Sequence, residues 1–140
     1  MSAHINETGR IYKQLTEEFI RRMRNWAMAQ AGAPVSAMTL DLGCTADRYR
    51  EATIPILNGE AQDVQESLCA LPMRYRQVVE QFWRFEGRPL RWHGRHRGVS
   101  FHTFEGWVMQ GHELLKGEFA RRAESYARRA AVSRALHAGA

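Results

Sequence analysis

Between Arg10 and Ala31 the apolar residues Ile11, Leu15, Phe19, Met23 and Trp26 recur at steps of three or four, the spacing that turns one helical face toward a core. The pattern predicts a first helix over about 10–31, which Gly32 and Pro34 are expected to stop. From there to Gly59 no period is sustained, and the stretch reads as a loop with a short helix around 46–53. Ala61, Val64 and Leu68 then predict a helix over 60–70, with Asn58 as its candidate N-cap. Leu71-Pro72 ends it. Proline suits the first turn of a helix, so Pro72 also opens the next one, with Tyr75, Val78, Val79, Phe82 and Trp83 as its apolar stripe and Gly87 as its close.

Pro89 marks another helix start, and about two turns later Gly98 can supply the left-handed residue that ends it. Ser100 is placed to cap a further helix from about Phe101, in which Phe104, Trp107, Val108, Gly111 and Leu115 form the buried stripe. The Ala/Arg-rich end of the chain is expected to extend that helix or to fray. No segment shows a strand period bounded by turn chemistry, so the expected fold is all-α. Three segments are expected: an N-terminal helix and linker over 1–59, a tri-helical region over 60–117 and an arginine-rich extension over 118–140.

Composition adds a partner class. The 140 residues suit one globular domain and exclude a large multidomain enzyme. The net charge of +5 is unevenly spread. Residues 1–71 hold 7 basic and 9 acidic side chains, net −2, whereas residues 72–140 hold 13 basic and 6 acidic, net +7. Of the cations in the second half only Lys116 is a lysine, and arginine is the cation whose planar fork matches phosphates and guanine edges. A polyanionic partner is therefore expected, either nucleic acid or an acidic protein surface.

Two cysteines, Cys44 and Cys69, are too few for a disulfide framework or a four-thiolate zinc site, which points to a reducing compartment. The N-terminus has neither the basic patch nor the apolar run of a secretory signal, and no run is long enough for a membrane span. The expected location is the cytoplasm, without membrane contact.

The segment from Leu90 to Gln110 has four features that a helix-turn-helix requires. Gly94 is a small residue where two helices cross, and Gly98 tolerates positive φ in the turn. Val99 is an apolar plug and Ser100 a cap. Arg91, Arg95 and Arg97 are then expected to straddle DNA phosphates, and Ser100, His102, Thr103, Glu105 and Gln110 to face a major groove, with Gly106 among them.

The run from Leu71 to Leu115 resembles the fourth region of bacterial sigma factors, and more closely the antitermination protein Q family of lambdoid-type phages. The matching features are Leu71-Pro72, Gly98-Val99-Ser100, Thr103-Phe104 and Gly111-His112-Glu113-Leu114-Leu115. Upstream, Asn25-Trp26-Ala27 and Glu60-Ala61 with Val64 are similar to further family features. The chain departs from the pattern at His93 and Arg97, where apolar residues are usual, at Phe101, where relatives often carry a polar or basic reading residue, and at Gly106, which interrupts the reading face. The resemblance implies a late-gene antitermination factor of the host bacterial cytoplasm. Such a factor binds double-stranded DNA beside a phage promoter and loads onto paused RNA polymerase, with contacts to sigma factor and nascent RNA also in view. It implies no covalent chemistry, no cofactor and no zinc module. The alternative is a promoter-bound, sigma-like or repressor-like regulator without antitermination.

Simpler readings stand beside these. His93, His96 and His102 lack the carboxylate or thiolate neighbours of a metal site and are expected to be phosphate or base contacts, or solvated. Cys69 is expected to be a small core residue, and Trp83, Trp92 and Trp107 to be packing residues. The pairs Arg121-Arg122 and Arg128-Arg129 fit a solvated face or a phosphate contact equally. No paired carboxylates, no nucleophile with a base and no phosphate loop suggest an enzyme.

Overall fold

A computed structural model describes residues 2–41 and 57–139, with side chains over 8–31 and 57–139. Its elements are all helices: α1 (Ser2–Lys13), α2 (Glu17–Asp41), α3 (Asn58–Cys69), α4 (Met73–Arg84), α5 (Leu90–Arg97) and α6 (Phe101–Ala138). The all-α expectation holds. The expected short helix near 46–53 lies outside the described residues.

The single helix expected over 10–31 is two. Thr16 interrupts it by accepting a hydrogen bond from the Phe19 amide on its Oγ1 (3.1 Å), while Glu17 and Glu18 place negative charge at the amide end of α2. Ile11 and Leu15 still join the stripe, because the link is only three residues long and both pack on the same core. At its other end α2 passes Gly32 and Pro34 and stops at Asp41. Ala27, Ala29, Ala31 and Ala33 lead into the proline, and alanine is the strongest helix former.

Asn58 is not the cap of α3 but its first helical residue, and the cap position belongs to Leu57, which has no capping side chain. Asn25 of α2 instead pins the backbone of the cap residue itself from across the interface. Its Oδ1 accepts from the Leu57 amide and its Nδ2 donates to the Leu57 carbonyl, both at 2.9 Å. Nearby, Asp63 of α3 accepts from Arg22 of α2 (2.9 Å), from Arg122 of α6 (Nε, 3.0 Å) and from the Tyr126 hydroxyl (3.1 Å), joining three helices through one carboxylate. The buried face of α3 is Ala61, Val64, Ser67 and Leu68. Cys69 falls one residue further round and is exposed, so its expected core role is overturned.

α6 is the spine. Its buried residues Phe104, Val108, Gly111, His112 and Leu115 meet one core that also takes in Ile11, Phe19, Met23, Trp26, Val64, Leu68, Val79, Phe82, Trp83 and Leu90. The segments 1–59 and 60–117 therefore share a core. Trp107 is half-buried rather than part of the stripe, with the Arg74 guanidinium 4.8 Å from its ring. His112 takes the central place. Trp83 donates to its Nε2 (2.9 Å), and its Nδ1 lies 3.4 Å from Gln14 Oε1 in the α1–α2 link. The C-terminal extension continues the same helix to Ala138, and it is exposed from Tyr126 onward.

The α5–α6 junction has its expected geometry. Gly98 adopts φ +78°, the Gly98 amide donates to the Arg95 carbonyl (3.2 Å) and the Val99 amide to the Gly94 carbonyl (2.9 Å), the paired bonds of a glycine-ended helix. A Cβ on Gly94 would lie 2.7 Å from the Val99 carbonyl oxygen and 3.0 Å from the Phe101 nitrogen, both backbone atoms. By contrast, Gly106 has open space around it. Gly94→Ala is expected to cost about 2 to 3 kcal/mol through overpacking. Gly106→Ala is expected to add about 0.5 to 1 kcal/mol, as alanine replaces glycine in a helix. Urea unfolding of both variants checks this; equal tolerance at the two positions would remove the close crossing.

Candidate nucleic-acid interface

The exposed side of α6 near its start carries His102, Thr103, Gly106 and Gln110 in one row. Ser100 accepts the Thr103 amide on its Oγ (3.1 Å) and donates to Thr103 Oγ1 (2.9 Å), so both hydroxyls are oriented by the helix start. The His102 ring lies over Phe101, with centroids 4.0 Å apart. Gly106 leaves a notch halfway along the row, through which another backbone or a base edge can approach the helix closely.

Glu105 is not on this row. Only 12% of its side chain is exposed, and it faces Arg10 of α1 at 3.8 Å. That contact uses up a residue expected to face a groove and places α1 on the flank of α6. Arg97 is also diverted. Its Nε donates to Gln81 Oε1 (3.1 Å) and its Nη1 to Gln77 Oε1 (3.1 Å), so the guanidinium is turned back onto α4. Arg91 and Arg95 remain exposed on α5, with the Arg91 guanidinium 5.6 Å from the Phe101 ring and Arg95 Nε near the Arg91 carbonyl (3.5 Å).

His93 overturns its expected solvent or phosphate role, because it is fully buried. Its ring stacks on Phe104 at 4.9 Å and 7°, and its Nδ1 sits 3.1 Å from Gln81 Nε2. That amide is a donor, so Nδ1 is the acceptor and the proton resides on Nε2, which has no hydrogen-bond partner. This polar stack anchors α5 at the two positions, His93 and Arg97, where apolar residues would ordinarily do so. Among the described residues no three histidine, cysteine or carboxylate side chains gather as a metal site.

Two further arginines, missed by sequence reasoning, lie over tryptophan rings, Arg74 beside the row on α6 and Arg88 on the far side of α5. Arg74 lies over Trp107 at 4.8 Å and Arg88 over Trp92 at 5.1 Å. A guanidinium laid on a ring loses side-chain freedom and keeps its N–H edge available, which suits phosphate binding. Neither position was signalled by helical spacing, since the ring under Arg74 comes from another helix and Arg88 lies in the turn before α5.

No family model, curated protein or solved structure matches this chain. No helix among the described residues is long and apolar enough to cross a membrane.

The buried histidines give the site a pH dependence. Burial pushes His112 down to about 3, with Lys116 adding to the effect, and burial with neighbouring His96 and Arg88 lowers His93 to about 4. The unfolded chain takes up these protons near pH 6.5 and the folded chain does not, so stability is full above that value and falls as pH drops below it. Between pH 7 and 5.5 the two histidines are expected to remove about 2 to 3 kcal/mol together. Urea midpoints across that interval check the slope, and His112→Gln is expected to halve it; a flat profile would contradict neutral burial.

Proposed function

We propose that this chain is a helix-turn-helix DNA-binding protein, related in organisation to sigma region four, that acts as a late-gene antitermination factor. The observation that carries the DNA-binding part is the α5–α6 junction. A glycine crossing and a left-handed turn hold α5 against the start of α6, and the capped start of α6 presents an exposed row. In this reading His102, Thr103 and Gln110 meet base edges in the major groove, while Arg74, Arg91 and Arg95 take phosphates on either side. Gly106 lets the helix sit deep in the groove. The net charge of +7 over residues 72–140 supplies the attraction. Antitermination, with RNA polymerase as second partner, rests on the sequence resemblance to the phage family.

Multi-round transcription through a terminator tests the antitermination part. Readthrough is expected to rise only on templates with a promoter-proximal binding site; changed initiation with unchanged readthrough would favour a regulator that stays at the promoter. For DNA reading, Gln110→Ala and His102→Ala are each expected to cost about 1 to 3 kcal/mol of specific affinity in gel shifts. Arg95→Ala is expected to weaken all duplexes alike and to flatten the salt dependence by about one phosphate contact. Wild-type affinity in both Gln110→Ala and His102→Ala would show that α6 reads DNA with another face or not at all.

A further inference from the structure

The corner between α4 and α5 carries rings that the core does not absorb. Phe85, just past the end of α4, is 42% exposed. Trp92 and His96, one turn apart on α5, are stacked with centroids 4.9 Å apart at 13°. Phe85 lies 5.3 Å from Trp92 and 5.9 Å from His96, which closes a three-ring cluster. α5 buries Leu90, His93 and Gly94, and residues two from Gly94 on either side lie on the opposite side of the helix. The cluster therefore faces away from the α6 junction, with the Arg91–Arg95 edge of α5 between the two surfaces.

Charge around the rings is positive. The Arg88 guanidinium lies 5.1 Å from the Trp92 ring. Among the described residues, the carboxylates of α4 and the turn after it are engaged, Glu80 with Arg76 (3.4 Å) and Glu86 with Arg24 (2.8 Å). Arg84, Arg88 and Arg95 form no ion pair among the described residues. Beside the rings runs an open, mainly polar groove of about 240 Å³ whose lining includes Gln77, Arg84, His96, Arg97 and one carboxylate, the Arg76-paired Glu80.

We propose that the Phe85–Trp92–His96 corner is a stacking site for unpaired bases of single-stranded nucleic acid, with Arg84, Arg88 and Arg95 holding the backbone. Every base has a π face that a ring can take, and that face is available only where the strand is unpaired. A duplex keeps those faces inside its own stack, so the corner suits a different ligand from the α6 row. An acidic protein surface would satisfy the arginines but not the rings beside a polar groove. Stacking and backbone contacts ignore the 2′-hydroxyl, so DNA and RNA strands are expected to bind alike.

The test uses the full chain and fluorescein-labelled 15-mers of dT and rU in anisotropy titrations at low salt. An abasic 15-mer of the same backbone serves as comparison. Binding of both base-bearing strands is expected at least about fivefold tighter than of the abasic strand, with loss of that margin in Phe85→Ala/His96→Ala. Arg88→Ala is expected to weaken all three strands and lower the salt slope by about 0.7. The Gln110→Ala variant is expected to bind the strands as wild type does, which separates this site from the duplex-reading row. Equal affinity for the abasic strand, no binding of dT or rU, or unchanged binding by the folded double variant would each overturn the proposal; a preference for rU over dT would overturn the indifference to sugar.

Discussion

Two glycines leave no room for a side chain, and the arrangement of the helices depends on them. Gly94 lets α5 touch the backbone at the start of α6, and Gly111 lets α6 approach α4, where a Cβ would lie 2.6 Å from Val79 Cγ2 and 3.3 Å from the Tyr75 carbonyl. At Gly94 the close atoms are all backbone, so nothing in that contact can change rotamer and it fixes the angle between the helices more tightly than interdigitated side chains can. The direction of the exposed row on α6 is thereby set by contacts on the other side of the helix. A rigid presentation of this kind is what reading a base edge requires.

The core behind those contacts contains more polar chemistry than its size would suggest. Gln81 bridges His93 and Arg97, while Trp83, His112 and Gln14 form a second chain through the interior. Buried polar groups are costly unless satisfied, and each here but His93 Nε2 has a partner. They act as registration devices: a hydrogen bond tolerates less sliding between helices than an apolar contact does. Gln14 matters especially. It sits in the link between α1 and α2, yet its amide reaches the Met109 carbonyl and Glu113, and Lys116 donates to its carbonyl, so the N-terminal helices are locked to α6.

The features that rest on local backbone rules were legible in the sequence. The positive φ of Gly98, the tight spot at Gly94 and the Ser100 cap all follow from short-range sterics and hydrogen bonding, and each has its expected place. What escaped depends on distant partners. The break before α2 is hidden because Ile11 and Leu15 keep the helical period across it; Thr16 followed by two glutamates was the available signal. His93 looks solvent-bound on its own helix and is buried only because Phe104 and Gln81 come to meet it. Glu105 of the expected reading face and Arg97 of the expected phosphate contacts were placed by helix geometry alone, which cannot show that Arg10 and Gln81 claim them. Arg74 and Arg88 were missed for the same reason.

α6 runs unbroken for 38 residues, which at 1.5 Å per residue is a rod of about 57 Å. Its last dozen residues carry Arg128, Arg129 and Arg134 without any acid, and all of them are exposed. The rod works as a pointer. Whatever engages the far end is held about 40 Å from the row at the near end, by the rise of the helix over the intervening residues. It is also held at a fixed bearing, since a continuous helix bends but does not swivel. A flexible tether of the same number of residues would fix neither distance nor direction.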